Sequence, residues 1–193
     1  MKNLGKDDLA EELSGQFEGD IILSAEQMKE YELGSKSKTG LIMSRYKWAG
    51  GVVPFRIIEK DFSKFQKNCN SSKNKIVFTA PEQIDYIKLG TKKMEAVTCM
   101  RFVPFDPKIH NDWVTVQGSS SGCFSSVGRR GIGEQILNLQ PYNLETGCFR
   151  LYTIVHEFIH GYLKNVYPFF FYFNFLIFIS CWILPYAVSN GTR

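Results

Sequence analysis

Two histidines and a glutamate stand at a spacing suited to metal chemistry late in this 193-residue chain. His156 and His160 are four positions apart, about 40° round a helix of 3.6 residues per turn, so both imidazoles leave the same face. Neutral imidazole nitrogen is a preferred ligand of Zn²⁺, and a catalytic zinc site usually leaves one position open for water. Glu157 adjoins the first histidine, where its carboxylate can take a proton from that water and pass it to a leaving amine. The spacing therefore predicts hydrolysis of peptide bonds with the help of one zinc ion.

A helix has to carry this motif, and the surrounding residues predict one. Between Phe149 and Leu163 the apolar residues recur at helical spacing, namely Leu151, Ile154, Val155, Phe158, Ile159 and Tyr162. The five-residue pattern by itself also occurs by chance, with histidines that serve only the structure. Its place within an amphipathic helix favours the metal-binding interpretation.

The rest of the chain predicts short strands and one further helix. Apolar and β-branched runs predict strands at 52–58, 76–78, 101–104, 113–116 and 135–139. The alternation within 135–139 favours an edge strand. A hydroxyl, a proline and an acid at 79–82 predict the start of a helix that continues to Cys99.

Composition limits the class of protein. With 44% apolar residues the chain can bury a core and form one domain of ordinary size. The net charge is only +4 and the basic residues are scattered, so nucleic-acid binding is not indicated. The first residues, Met1 to Asp8, lack the apolar run of a signal peptide. The five cysteines suit free thiols inside cells or disulfides outside them, so they leave the compartment open.

Four blocks of sequence, in both type and order, resemble the astacin family of metzincin endopeptidases. The blocks are WAGGVVPF at 48–55, TCMRFVP at 98–104, SGCFSSVGR at 121–129 and TIVHEFIH at 153–160. The resemblance, which runs from about Phe17 to His160, implies an α+β fold. In that fold a twisted, mixed five-stranded sheet and two long helices form the N-terminal lobe of the enzyme. The resemblance also implies that 41–165 is this catalytic lobe and that 1–40 is a leader, like a pro-segment, with a linker.

The resemblance implies roles for named residues as well. His156 and His160 would hold one zinc ion, and Glu157 would act as general base and acid in a zinc-dependent endopeptidase. An edge strand would pair with the main chain of an extended protein or peptide substrate. Its residues would be Gln135, Ile136, Leu137, Asn138 and Leu139. Members of the family are secreted, so the resemblance implies an extracellular location.

The leader contains Phe17-Glu18-Gly19-Asp20, which resembles the family's pro-segment motif. In that motif the aspartate binds the zinc and displaces the catalytic water until the leader is cut off. The resemblance therefore makes Asp20 a latency switch, which trypsin-like cleavage within 36–45 would release. The alternative interpretation is a turn aspartate that follows a glycine.

The cysteines are also assigned by the resemblance. It pairs Cys123 with Cys148 in a disulfide. It pairs Cys99 with a cysteine of the C-terminal lobe, and we expect that partner to be missing from this sequence. Cys69 and Cys181 lie outside the family pattern, so we expect them to be unpaired thiols.

The resemblance ends after His160. The family has a third histidine ligand six positions later, where this chain has Val166. Leu163 stands in place of a glycine and Tyr167 in place of a glutamate. No Asp, Glu or His follows Gly161, so we expect the C-terminal lobe to be absent and an apolar tail to replace it.

The tail at 166–188 carries no charge and is long enough to span a bilayer. One interpretation is a transmembrane helix that anchors the protein to a membrane, and the other is translated non-coding sequence. The alternative to an active endopeptidase is therefore a catalytically inactive, membrane-attached fragment that only binds protein segments.

Overall fold

The computed structural model describes residues 14–34, 46–62 and 80–162, which form one mixed sheet with packed helices. The strands are β1 (Ile21–Ile22), β2 (Val52–Ile57), β3 (Arg101–Pro104), β4 (Trp113–Gln117), β5 (Cys123–Ser126) and β6 (Glu134–Leu139). Their order across the sheet is β1-β5-β6-β4-β2-β3. β2 lies parallel to β3 and β4, and β4 lies parallel to β6. β5 runs antiparallel to β6, and β1 runs parallel to β5.

The described helices are α1 (Ala25–Gly34), α2 (Glu59–Phe62), α3 (Ala80–Val97) and α4 (Leu151–Tyr162). α3 lies between β2 and its parallel neighbour β3 in the chain, as a parallel connection requires. α3 and α4 approach each other closely at a glycine, because a Cβ on Gly90 would come within 2.7 Å of Ile154 Cγ2. The two helices bury Ile87, Met94, Ile154 and Phe158. Burying each such side chain contributes about 1.5–3 kcal/mol.

Aromatic contacts fix α4 on the sheet. The ring of Phe158 meets Phe55 and Phe102 edge-on, with centroids 6.0 and 5.2 Å apart. Such pairs contribute about 0.5–1.5 kcal/mol beyond the area they bury. α4, which carries the two histidines, is therefore held against β2 and β3 by well-defined packing.

The predicted α+β fold, with a mixed sheet and two long helices, is confirmed. The sheet has six strands rather than the predicted five, because β1 from the leader pairs with β5. β5 was not predicted, since its sequence Cys-Phe-Ser-Ser follows a run of Gly and Ser and lacks a clear alternation. The predicted strand at 76–78 and the predicted tail at 166–188 lie outside the described residues. The domain boundaries at 41 and 165 stay predictions.

The prediction that 135–139 forms an edge strand is wrong. The structure places these residues in β6, between β4 and β5, so both of its edges are paired. Alternation of apolar and polar residues reports that the two faces of a strand differ, and it carries no information about the edges. The antiparallel strand β5 lies beyond β6, and its outer edge is paired with β1.

The predicted disulfide between Cys123 and Cys148 is confirmed, with the two Cα atoms 5.5 Å apart. It joins the start of β5 to the segment that leads into α4. Cys99 is also disulfide-bonded, which corrects the expectation that its partner is missing. Its partner is not among the described residues, and Cys69 and Cys181 are the two cysteines that lie outside them.

Among the described residues, no helix has the length and apolar character that crossing a bilayer requires.

Candidate metal centre

α4 brings its two histidines together on one face. The Nε2 atoms of His156 and His160 are 2.9 Å apart, and the rings meet edge-on with centroids 4.4 Å apart. Both side chains are half-buried. Residues four apart on a helix lie one above the other, which is why the sequence alone anticipates this pair.

The leader adds a carboxylate to the histidine pair. Asp20 follows a turn in which Glu18 and Gly19 have φ values of 54° and 103°. Its Oδ2 atom lies 2.7 Å from Nε2 of His156 and 3.4 Å from Nε2 of His160. The backbone carbonyl of Asp20 accepts a hydrogen bond from the Ser125 N–H, at 2.8 Å. Both the backbone carbonyl and the side-chain carboxylate of Asp20 therefore make contacts that fix its position.

The surroundings of Asp20 favour its charged form. Burial raises the pKa of this carboxyl, but hydrogen bonds and charge from His156 and His160 outweigh burial. The net result is a pKa of Asp20 well below its usual range. Glu18, nearby, has a raised pKa because of burial and the charge of Asp20. Asp20 thus presents a negative charge next to two imidazoles at neutral pH.

The three side chains fit a zinc ion. Their ligand atoms, from Asp20, His156 and His160, all lie within 4.8 Å of one another. Zinc binds imidazole nitrogen and carboxylate oxygen at about 2.0–2.2 Å in a tetrahedral arrangement, which separates ligands by about 3.3 Å. The observed separations of 2.7, 2.9 and 3.4 Å are close to that value. Two nitrogens and one oxygen are also a donor set that zinc accepts.

Glu157 occupies a different position from the two histidines. Its side chain is fully buried, at 0% exposed, and it is not part of the group of three ligand side chains. Neighbouring positions on a helix differ by about 100° in direction, so Glu157 does not share the face of His156 and His160. The structure therefore joins His156, His160 and Asp20 and places Glu157 in the interior beside them.

The N-terminal segment 14–34 packs against β5 and the residue after it, next to this centre. β1 pairs with β5, with Ile21 opposite Ser125 and Ile22 opposite Ser126. Gln27 of α1 is fully buried, and its Nε2 donates a hydrogen bond to the Val127 carbonyl at 3.0 Å. The segment 14–34 thus contacts the rest of the domain along a strand, at a buried amide and at the histidine pair.

The contact of Gln27 with the rest of the domain was not predicted from the sequence, although the sequence does indicate that a helix starts here. Ser24 and Gln27 form a reciprocal cap at the start of α1: Gln27 N–H donates to Ser24 Oγ at 3.1 Å, and Ser24 N–H donates to Gln27 Oε1 at 2.9 Å. A serine followed three positions later by glutamine is the signature of this cap. The signature predicts the helix start, but it does not predict the contact with Val127.

The end of α4 is held by two donors from other segments. The Gly128 N–H donates to the His160 carbonyl, and the Trp48 indole N–H donates to the Gly161 carbonyl, both at 2.8 Å. Gly128 has φ +59°, and a Cβ there would lie 2.8 Å from the Tyr46 carbonyl oxygen. Only glycine therefore fits this position without a shift of the backbone.

Comparison with known proteins gives a family match over the lobe and the histidine helix. The family model for astacin, which describes a family of peptidases, matches residues 43–162. The chain is 26% identical over 144 residues to zinc metalloproteinase nas-4 of Caenorhabditis elegans, covering 75% of this chain and 38% of that protein. It is 33% identical over 157 residues to zinc metalloproteinase dpy-31 of Teladorsagia circumcincta, covering 78% of this chain and 22% of that protein.

A third relative and one solved structure extend the comparison. Zinc metalloproteinase dpy-31 of Haemonchus contortus is 32% identical over 168 residues, covering 81% of this chain and 27% of that protein. High choriolytic enzyme 1, a hatching enzyme zinc-protease of Oryzias latipes, matches with a TM-score of 0.44 and 23% identity, over 66% of this chain and 54% of that one. The matches span less than two-fifths of the three relatives' own length. Because the family model covers most of the chain and includes both histidines, the chain belongs to the astacin family of zinc metalloproteinases.

Proposed function

We propose that the chain provides the zinc-binding lobe of an endopeptidase that hydrolyses internal peptide bonds of proteins. The observation that carries the proposal is the pair of histidine nitrogens 2.9 Å apart on α4, inside the segment that matches the family. His156 and His160 hold the metal. Glu157 is the general base and acid. The substrates are proteins or peptides, and the site of action is extracellular.

Each group has a defined task in this proposal. A zinc ion held by His156 and His160 would supply Lewis acidity, which polarises a carbonyl group and makes water more acidic. Glu157 takes a proton from the attacking water and delivers it to the amine nitrogen that leaves. Burial strengthens the electrostatic interactions of this carboxylate, because the effective dielectric constant there is lower than in bulk water. The packing of Phe158, the next residue, on Phe55 and Phe102 keeps that part of α4 fixed during the reaction.

The outer edge of β5 is the proposed binding edge for the main chain of a substrate. It carries Ser125 and Ser126, and it runs beside α4, where Ser125 Oγ would lie 3.6 Å from a Cβ on Gly161. An extended peptide can add to such an edge as a further strand. β1 occupies the edge in the docked leader, so leader and substrate compete for it.

The leader makes the enzyme latent in this proposal. Asp20 lies within hydrogen-bonding distance of both histidines, so its carboxylate would bind the zinc in place of the water that a catalytic zinc site needs. β1 simultaneously covers the edge of β5. Cleavage within 36–45 would allow the leader to leave and both positions to open.

One observation supports a second candidate function. The third family histidine is replaced by Val166, so two histidines would hold the ion once Asp20 has left. Fewer ligands bind zinc more weakly. On this reading the chain is an inactive fragment that binds extended protein segments along β5, and the tail at 166–188 attaches it to a membrane.

A cleavage assay separates the two candidates. The full chain is incubated with zinc and a denatured protein substrate, before and after treatment with immobilised trypsin. The matched variant is Glu157→Gln, which keeps the size of the buried side chain but cannot accept the proton. We expect cleavage by the treated parent and none by the variant. Equal turnover by both would exclude Glu157 as the general base. No turnover by a zinc-loaded parent would leave the binding fragment as the function.

A further inference from the structure

The last turn of α4 depends on hydrogen-bond donors from outside the helix. In the last described turn of α4, the carbonyl of His160 accepts a hydrogen bond from Gly128 N–H, and the carbonyl of Gly161 accepts one from the Trp48 indole N–H. The first donor belongs to the segment after β5 and the second to the segment before β2. The turn that carries His160 is therefore tied to two other parts of the lobe.

Trp48 is rigidly placed for this contact. Its side chain is only 6% exposed and belongs to the hydrophobic core. The chain turns immediately after it, with Gly51 N–H donating to the Trp48 carbonyl at 3.1 Å. Gly51 has φ +71°, and a Cβ there would lie 3.5 Å from the Tyr162 hydroxyl. The segment that holds Trp48 thus packs directly on the end of α4.

We propose that Trp48 is a positioning residue for the metal centre: its indole N–H holds the last turn of α4 and thereby keeps His160 in register with His156. The inference rests on the proposed zinc site. Trp48 lies before β2 and far from the histidines in the sequence, and its contact is with a backbone atom one position after His160. Trp48 stabilises the end of the helix and does not itself bind the metal.

The geometry explains why this single hydrogen bond matters for metal binding. The two Nε2 atoms must lie close to the separation that bonds of about 2.0–2.1 Å allow. His156 lies one turn further into the helix, whereas His160 lies in the last turn, where helices open most readily. Without the indole N–H, the Gly161 carbonyl loses this hydrogen bond, and the last described turn opens more often. His160 then leaves the position in which both nitrogens can bind one ion.

The test compares two tryptophans in the full chain. Trp48→Phe removes the indole N–H and keeps an aromatic ring in the core. Trp113→Phe is the matched control, because the Trp113 indole also donates a hydrogen bond, at 3.0 Å, but to Thr115 Oγ1 on its own strand β4. Zinc affinity is measured by competition with a chromophoric chelator. Hydrogen exchange of the α4 amides is measured by mass spectrometry on the metal-free protein.

We expect Trp48→Phe to weaken zinc binding by about tenfold or more, the range found when groups that orient metal ligands are removed. We also expect faster exchange at the end of α4 in the metal-free protein. Trp113→Phe should change neither readout. Because hydrogen exchange is measured on the metal-free protein, it shows how often the end of α4 opens, independently of zinc binding.

A second variant distinguishes the loss of the indole hydrogen bond from a loss of the folded structure. Replacing Trp48 alone with 3-benzothienylalanine substitutes sulfur for the N–H in a ring of nearly the same shape. It should show the same loss of affinity with an unchanged circular dichroism spectrum. Suppose that the parent binds zinc and that this variant binds it equally well, with unchanged hydrogen exchange of the α4 amides. Trp48 then has no positioning role, although the zinc site itself is supported. If the parent binds no zinc, the proposed function and this role fall together.

Discussion

The carboxylate of Asp20 lies 2.7 Å from the Nε2 atom of His156, although 136 positions separate the two residues in the chain. The contact connects the leader to the helix that carries the candidate metal ligands. It depends on the pairing of β1 with β5, on the buried amide of Gln27 and on the ordered end of α4.

Replacing Asp20 by asparagine should open the metal centre of the uncut chain. The amide keeps the size of the side chain but loses the charge that favours a cation. We expect Asp20→Asn to bind zinc more weakly than the parent, yet to cleave a peptide substrate faster at saturating zinc. Both are measured on the uncut protein. Glu26→Gln, which removes a negative charge at an exposed position of α1, is the control. A variant with unchanged zinc affinity and no gain in turnover would contradict the role of Asp20.

Replacing Gln27 by leucine should loosen the leader. The change removes the hydrogen bond to the Val127 carbonyl and the hydrogen bond that Gln27 Oε1 accepts from the Ser24 N–H. A buried carbonyl left without its donor costs about 1–3 kcal/mol. Limited proteolysis should therefore cut the leader of Gln27→Leu faster than that of the parent. Glu26→Gln, at an exposed neighbouring position of α1, serves as control. The same cutting rate in all three proteins would show that Gln27 does not anchor the leader.

Two glycines with similar backbone angles should respond differently to alanine. Gly128 has φ +59° and would bring a Cβ within 2.8 Å of the Tyr46 carbonyl, whereas Gly131 has φ +70° and nothing within 4 Å. Gly131→Ala should therefore cost only the strain of a left-handed residue, about 1–3 kcal/mol. Gly128→Ala should cost more, because a clash with the backbone is added. Urea unfolding of both variants measures the difference. Equal losses would contradict the close approach of the two segments.

The acid sensitivity of the sheet should depend on Glu134. Hydrogen bonds from Thr115 and Arg56 lower the pKa of the Glu134 carboxyl. A carboxyl whose folded pKa is lowered contributes stability above its unfolded pKa and loses that contribution as pH falls through the folded pKa. Stability should thus fall below about pH 4.5, the ordinary value, and fall less in Glu134→Gln.

The size of this effect is limited by exposure, since 41% of the Glu134 side chain is accessible to water. Urea unfolding at pH 6 and in acid measures it. Glu59→Gln, at the exposed start of α2, is the control. A parent and a Glu134→Gln variant with the same acid dependence would show that the contacts of Glu134 do not stabilise the fold.

Local patterns in the sequence predicted the elements that carry the chemistry. Apolar residues at helical spacing predicted α4, and the spacing of His156 and His160 predicted that their rings share one face. β2, β3 and β4 follow runs of β-branched and aromatic residues, and all three were predicted. The pairing of Cys123 with Cys148 was implied by the family resemblance. These features depend on residues close in sequence or on a shared family pattern.

Contacts between segments that are distant in the chain could not be predicted from local sequence patterns. Residues 135–139 alternate like an edge strand, but whether another strand lies beyond β6 depends on β5. The bond of Cys99 and the contact of Gln27 with Val127 likewise involve residues far apart in the chain. The role of Trp48 has no local signal, because its hydrogen bond goes to a backbone carbonyl 113 positions away.

Zinc stoichiometry of the full chain tests the proposed metal centre most directly. Isothermal titration calorimetry of the metal-free protein should give one zinc ion per chain. His156→Ala and His160→Ala should each abolish this binding, whereas His110→Ala, outside α4, should leave it intact. One zinc per chain bound equally well by the parent and by both α4 variants, or no zinc bound by the parent, would contradict the assignment of His156 and His160 as the metal ligands.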